Sequence, residues 1–178
     1  MSKNEKWLSF VFVCLASLVM LFAVIWGGVK TKYDRFYVEE IEAFSNEFGV
    51  DKNLVYGVVY AESKFYSDAV SSVGAVGLMQ IMPSTAEWIA VELKVEYSGS
   101  EQLKDPKTNI RFGCFYLAYL FDKFEDEEVV LFCYNAGEGI YLEESKNKQI
   151  DDIRKEYTGV DKYIKKVQKA KNMYENLY

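Results

Sequence analysis

Histidine is absent from this chain of 178 residues. That absence removes Ser-His and Cys-His nucleophile pairs, histidine-based zinc sites and imidazole as a general base, leaving a carboxylate, Lys, Tyr or Cys for acid–base chemistry near neutral pH. Cysteine is scarce and odd in number: Cys14 lies in a long apolar run, and Cys114 and Cys133 form either one disulfide or two buried thiols on packed helices, the second being the reading adopted. Positive charge is also short, with 21 Lys and Arg against 27 Asp and Glu for a net charge of −6. Basic residues gather only at 162–171, which gives no electrostatic footprint for nucleic acid and excludes it as a partner. No cofactor and no metal are expected.

What is present is apolar: half of the residues are hydrophobic and 16% are aromatic. That is enough for one globular domain beside a membrane segment, and too little for a second domain. Residues 8–29 carry no charge, and as a helix they would span roughly 33 Å, enough for a bilayer core. Residues 1–29 are therefore read as a short cytoplasmic tail and a transmembrane signal anchor, and 30–178 as one domain. The exit of the run, Val24-Ile25-Trp26-Gly27-Gly28-Val29, lacks the small-x-small pattern of a cleaved signal, and Val11-Phe12-Val13 before Cys14 does not resemble a lipoprotein cleavage site. Lys3 and Lys6 on one side against Lys30, Lys32 and Arg35 on the other leave the orientation undecided by charge.

The remainder reads as mainly α. Residues 35–48 carry Phe36, Ile41, Phe44 and Phe48 among acids, with Gly49 as a stop. Asp51 caps a second helix over 52–62 with Leu54, Val55, Val58, Val59 and Ala61 at helical spacing. A Ser- and Gly-rich loop runs from there to Gly77. Pro83 opens a helix to Leu93, and further helices are predicted over 108–124, 127–135 and 161–174, with no period-two strand and no repeat.

Glu62 is the candidate for chemistry. It comes after Val58 and Val59 by four and three residues, so helical geometry turns its carboxyl toward the apolar side, at the helix's C-terminal end. Desolvation and the negative end of the helix dipole both disfavour its ionised form and predict a raised pKa, the condition for a carboxylic acid that donates a proton near neutral pH.

Taken singly, the neighbouring motifs read as ordinary loops and helix ends. Together they run Glu62-Ser63, then Gly74-Ala75-x-Gly77-Leu78-Met79-Gln80-Ile81-Met82-Pro83-x-Thr85-Ala86, then Asp105-Pro106-x-x-Asn109-Ile110-x-x-Gly113-x-x-Tyr116-Leu117, then Tyr134-Asn135-Ala136-Gly137. In this order and spacing they closely resemble the soluble-lytic-transglycosylase (SLT) family, from about Tyr33 to the C-terminus. The resemblance implies a lysozyme-like helical domain over 30–178, acting on peptidoglycan strands outside the cytoplasm; the apolar run at 8–29, which the resemblance leaves uncovered, would hold it to the membrane. It implies Glu62 as the catalytic acid, Ser71, Gln80 and Met82 lining the sugar groove, Tyr134 with its hydroxyl approaching the glutamate, and Asn135 as its polar neighbour. Two features depart from the pattern. Phe132 stands where a small residue is usual, and Glu156-Tyr157-Thr158 is separated from Tyr163-Ile164 by a longer insert than the family's, which puts Tyr163 in doubt as a groove residue.

The implied reaction uses one carboxyl group where most glycosidases use two. Glu62 would protonate the oxygen between N-acetylmuramic acid and N-acetylglucosamine, then take the proton of the muramyl 6-hydroxyl as it closes to a 1,6-anhydro end. Asp68, Glu138 and Glu143 are candidates for a second carboxylate, which would make the enzyme a hydrolytic, goose-type muramidase; they are read as surface charges. A non-catalytic peptidoglycan-binding module of a wall-spanning machine is the alternative from another class.

Overall fold

The structure, a computed structural model, describes residues 3–178; Met1 and Ser2, the start of the expected tail, lie outside them. The contacts divide the chain into an N-terminal unit ending at Asp34 and a body from Arg35 to Asn176 that also takes in Tyr178.

The N-terminal unit is one helix, α1 (Lys3–Lys32). Its segment Phe10–Lys32, 23 residues with a mean hydropathy of 2.6, is long and apolar enough to cross a membrane. Two polar side chains within it are turned onto their own helix, with Ser17 Oγ donating to the Val13 carbonyl at 2.8 Å and Thr31 Oγ1 to that of Gly27 at 2.9 Å. Phe12, Met20 and Val24 are among its largely exposed side chains.

The body is helical, with two isolated β-bridges among its described residues, Val70 to Val76 and Val76 to Ile81. It contains α2 (Val38–Phe48), α3 (Lys52–Glu62), α4 (Pro83–Leu93), α5 (Pro106–Lys123), α6 (Glu127–Ala136), α7 (Glu138–Glu144), α8 (Ile150–Glu156) and α9 (Thr158–Leu177). The mainly α expectation holds, and the boundaries of α3 and α4 fall where the spacing puts them. The short α7 and α8 lie outside the helices that the sequence predicts. Local chemistry starts the longer helices: Asp51 accepts from Asn53 N, Asp105 from Thr108 N and Asp126 from Glu128 N, each at 2.7–2.8 Å, and Pro83 and Pro106 stand in first turns that need no N–H. Each such cap stabilises its helix by about 1 kcal/mol.

Helix α3 runs through the core with Leu54, Val55, Tyr56, Val58 and Val59 at most 1% exposed. The buried stripe of α9, Ile164, Val167, Ala170 and Tyr174, lies against it, and Tyr174 stacks on Tyr56 with ring centroids 4.8 Å apart. The approach is close because Gly57 has no side chain; a Cβ there would stand 2.9 Å from the Val167 carbonyl oxygen. Phe132, the departure noted in α6, is fully buried and meets Tyr157 edge to face at 5.4 Å. Cys114 and Cys133 are free and buried, so the thiol reading holds over the disulfide.

Candidate active site

The site begins where α3 stops. After Glu62 the chain turns sharply, with Lys64 at φ 52° and Phe65 at φ 68°, both in the left-handed region that costs an L-residue about 1 kcal/mol or more. Packing holds the turn in place: the Phe65 ring lies against Tyr56, Tyr174 and Phe36. Backbone strain beside a candidate catalytic group, compensated by packing elsewhere, fits the pattern of a functional site.

The loop from Ser63 to Met82 is pinned from α5. Asn109 is fully buried; its Oδ1 accepts from Met79 N at 2.7 Å, and its Nδ2 donates to the carbonyls of Val76 at 2.9 Å and Leu103 at 2.8 Å. Gly77, at φ 83°, lies so close beneath this amide that a Cβ would come within 2.2 Å of Asn109 Nδ2 and of the Leu103 carbonyl oxygen. These contacts give the Asp-Pro-x-x-Asn and Gly-Leu-Met-Gln stretches a physical role: one buried amide satisfies three backbone groups outside the long helices.

From that pinned loop, the Met79 carbonyl accepts the hydroxyl proton of Tyr134 at 2.9 Å. Tyr134 stands on α6, and its phenol is raised well above 10.0 by burial first and then by the nearby Glu62 charge. Its proton is committed to the Met79 carbonyl. Tyr163, on α9, is the converse case. Its buried hydroxyl has no hydrogen-bond partner of standard geometry, yet it lies near enough to Glu62 to lower that group's pKa as a donor. The insert is absorbed in the start of α9, and Tyr163, which lines neither cavity of the groove, faces the candidate acid instead.

Glu62 is partly buried, and its pKa is raised from 4.5 to about 7, burial being the main cause, opposed by Tyr163 and by the Lys166 charge. The predicted direction holds. Among the described residues, no second carboxylate appears among the groups acting on it. Asp68 is exposed, Glu143 is exposed and paired with Lys146, and Glu138 is taken up by Tyr119 and Lys123.

Four of the five expected groove residues come together. Gln80, Met82, Tyr134 and Asn135 line one cleft of about 220 Å³ with Thr85 and Tyr116. Thr85 and Tyr116 also line an adjoining hollow of about 360 Å³ with Ser84, Trp88, Tyr119 and Glu138. Trp88 lies 4.7 Å from Tyr119 and Tyr116 lies 5.3 Å from Tyr134, so the two cavities share an aromatic wall. Glu62 is not among the residues lining either cavity; Tyr134 lines the first and couples to it. Gln80 also ties the loop, its Nε2 donating to the carbonyls of Ala69 and Gly77. Ser71 is the exception: it does not line the cleft, and its Oγ accepts from Ala75 N at 3.0 Å within its own turn. Among the described residues no group of three or more Cys, Asp or Glu is arranged to hold a metal.

The family model of the transglycosylase SLT domain matches residues 39–157, more than half of the chain. The chain belongs to the SLT domain family. It is 31% identical over 117 residues to the soluble lytic murein transglycosylase of Escherichia coli, covering 65% of this chain and 18% of that protein. It is also 31% identical over 118 residues to the membrane-bound lytic murein transglycosylase C of Haemophilus influenzae, covering 61% of this chain and 33% of that one. The match to this SLT chain thus takes in only a minor part of the length of either relative. Among solved structures it resembles an inactive glutamate-to-glutamine mutant of lytic transglycosylase Slt from Pseudomonas aeruginosa, with a TM-score of 0.76, 25% identity, and coverage of 83% of this chain and 25% of that one. The 70 kDa soluble lytic transglycosylase of E. coli gives the same TM-score at 26% identity, over 85% of this chain and 26% of that one. The SLT match ends before α9, so Tyr163 and Lys166 lie beyond the span that the family model describes.

Proposed function

We propose that this chain is a membrane-anchored peptidoglycan lytic transglycosylase in which Glu62 acts as general acid and then as general base. The observation that carries the reading is a single carboxyl, raised to about 7 by burial, facing two tyrosines and no second carboxylate among the described residues. A group with that pKa is part protonated at neutral pH and can serve both steps.

Glu62 in its acid form protonates the oxygen between N-acetylmuramic acid and N-acetylglucosamine. Burial favours the carboxylic acid; Tyr163, with its proton free to donate, favours the carboxylate left behind. The muramyl N-acetyl group steadies the developing positive charge, and Glu62 then takes the proton of the 6-hydroxyl as that oxygen closes on the anomeric carbon. The attack is intramolecular, which can lower a barrier by several kcal/mol when the groups are prearranged. The strand would lie along the cleft of Gln80, Met82, Tyr134 and Asn135 and the adjoining hollow at Trp88, whose aromatic wall suits sugar faces.

The names of the two relatives and the inactive glutamate-to-glutamine mutant of the Pseudomonas enzyme support the same reading. The apolar segment Phe10–Lys32 supports a membrane span, and the proposed substrate puts the catalytic body on the extracytoplasmic side, where peptidoglycan lies. Mass analysis of muropeptides released by the wild type and by Glu62→Gln tests the proposal. The wild type should give 1,6-anhydro ends, lighter than hydrolysed ends by one water, and the variant should give none. Hydrolysed ends would make the chain a muramidase, and binding to sacculi without any release would make it a peptidoglycan-binding module.

A further inference from the structure

Two side chains one turn apart on α9 act on the Glu62 carboxyl, Tyr163 and Lys166. Lys166 is the one for which the reaction as described has no use. Its Nζ donates to the carbonyl of Ala61, the residue before Glu62 in the last turn of α3. A cation there satisfies a carbonyl of the helix terminus and offsets the negative end of the helix dipole. Its position is set by packing: Val167, the next residue, is fully buried, and its carbonyl lies against Gly57, where an added Cβ would stand 2.9 Å away. The charged and titratable groups facing this pair are Tyr163 from α9, Tyr134 from α6 and Lys64 from the turn after α3.

We propose that Lys166 is a positioning residue: held on the Ala61 carbonyl, it keeps a positive charge beside Glu62 that steadies the carboxylate between the proton it gives and the proton it takes back. The proposal rests on Glu62 being the acid and base. The balance of forces agrees with it, since the Lys166 charge lowers Glu62 against the burial that raises it, and burial lowers Lys166 in turn.

The test is the pH dependence of muropeptide release from purified sacculi, using the full chain in detergent with Lys166→Met, Lys166→Gln, Lys166→Arg and Glu62→Gln. In Lys166→Met and Lys166→Gln the alkaline limb should move up by roughly 0.5–1 pH unit, near the lower end of what an opposite charge exerts on a neighbouring carboxyl. In Lys166→Arg it should stay near the wild type. Stability falls as pH rises through this range, so a destabilised variant would lose its alkaline limb to lower pH, and a loss of stability cannot imitate the upward shift. An unmoved limb in the Met and Gln variants, or a limb moved equally in Arg, overturns the proposal. If Glu62→Gln is inactive while the limb stays put, the role of Lys166 alone falls; if Glu62→Gln is active, the acid assignment falls and takes this proposal with it.

Discussion

The Tyr134 hydroxyl donates to the Met79 carbonyl at 2.9 Å, which makes a phenol on α6 part of the loop that floors the cleft. The same bond decides what Tyr134 can do for Glu62, because a hydroxyl with its proton committed can only accept. Tyr134→Phe should therefore lose about 1 kcal/mol of stability and slow cleavage by roughly tenfold, as the loop that floors the cleft loses its tie to α6. Urea midpoints and muropeptide release measure the two effects. An unchanged rate would remove Tyr134 from the site.

Glu62 also sets a stability prediction. Its folded-state pKa of about 7 lies above the ordinary 4.5, so between those values the folded state holds more protons than the unfolded state, and stability falls as pH rises through the window. Below the lower value the penalty is absent, and above the higher one it is fully present, on the order of 3 kcal/mol. Glu62→Gln carries no such penalty. Its melting temperature should match the wild type near the acid end of the window and exceed it by several degrees beyond the alkaline end. Parallel melting curves across that range would show that the carboxyl is not buried in solution.

Asn109 bridges three backbone groups that no helix ladder satisfies. Asn109→Ala leaves the Met79 N–H and the Leu103 carbonyl without this partner, while the Val76 carbonyl keeps the Ile81 N–H, and should cost about 2–3 kcal/mol. Gly77→Ala should cost at least as much, since the new methyl overlaps the Leu103 carbonyl oxygen and the left-handed backbone resists a side chain. Chemical denaturation measures both. A loss below about 1 kcal/mol in either variant would mean that the loop is not pinned from α5.

How much of the fold and site is legible in the sequence depends on the length of each signal. Helix α3 is readable at both ends because Asp51 caps it and its apolar spacing runs unbroken to Glu62. The raised pKa comes from the same spacing. Helices α7 and α8 are seven residues each, too short for a period to declare itself among their charges. The expected position of Ser71 in the groove is less legible, because a serine beside a glycine turn binds its own backbone as readily as a ligand. That Tyr163 and Lys166 act on Glu62 is hidden for another reason. They meet Glu62 from the far end of the chain, and the register that brings them there depends on the missing side chain at Gly57.

The buried thiols allow a simple chemical check. Burial pushes Cys114 and Cys133 up to about 12, so neither forms a thiolate at neutral pH. Maleimide should label the native full chain at Cys14 at most, and label all three cysteines once the protein is unfolded. Rapid labelling of Cys114 or Cys133 in the native state would show that α5 or α6 opens.

The contact between Gly57 and α9 also has an order in time. A ribosome delivers α3 long before the helix that lies on it, so a nascent chain carries Glu62 well before Tyr163 and Lys166 arrive to complete its surroundings. Until the last helix docks, the glutamate stays solvated and ionised at neutral pH, with no proton to give. On the proposed reading, the sequence order of the helices alone withholds the acid's proton until the last of them is in place.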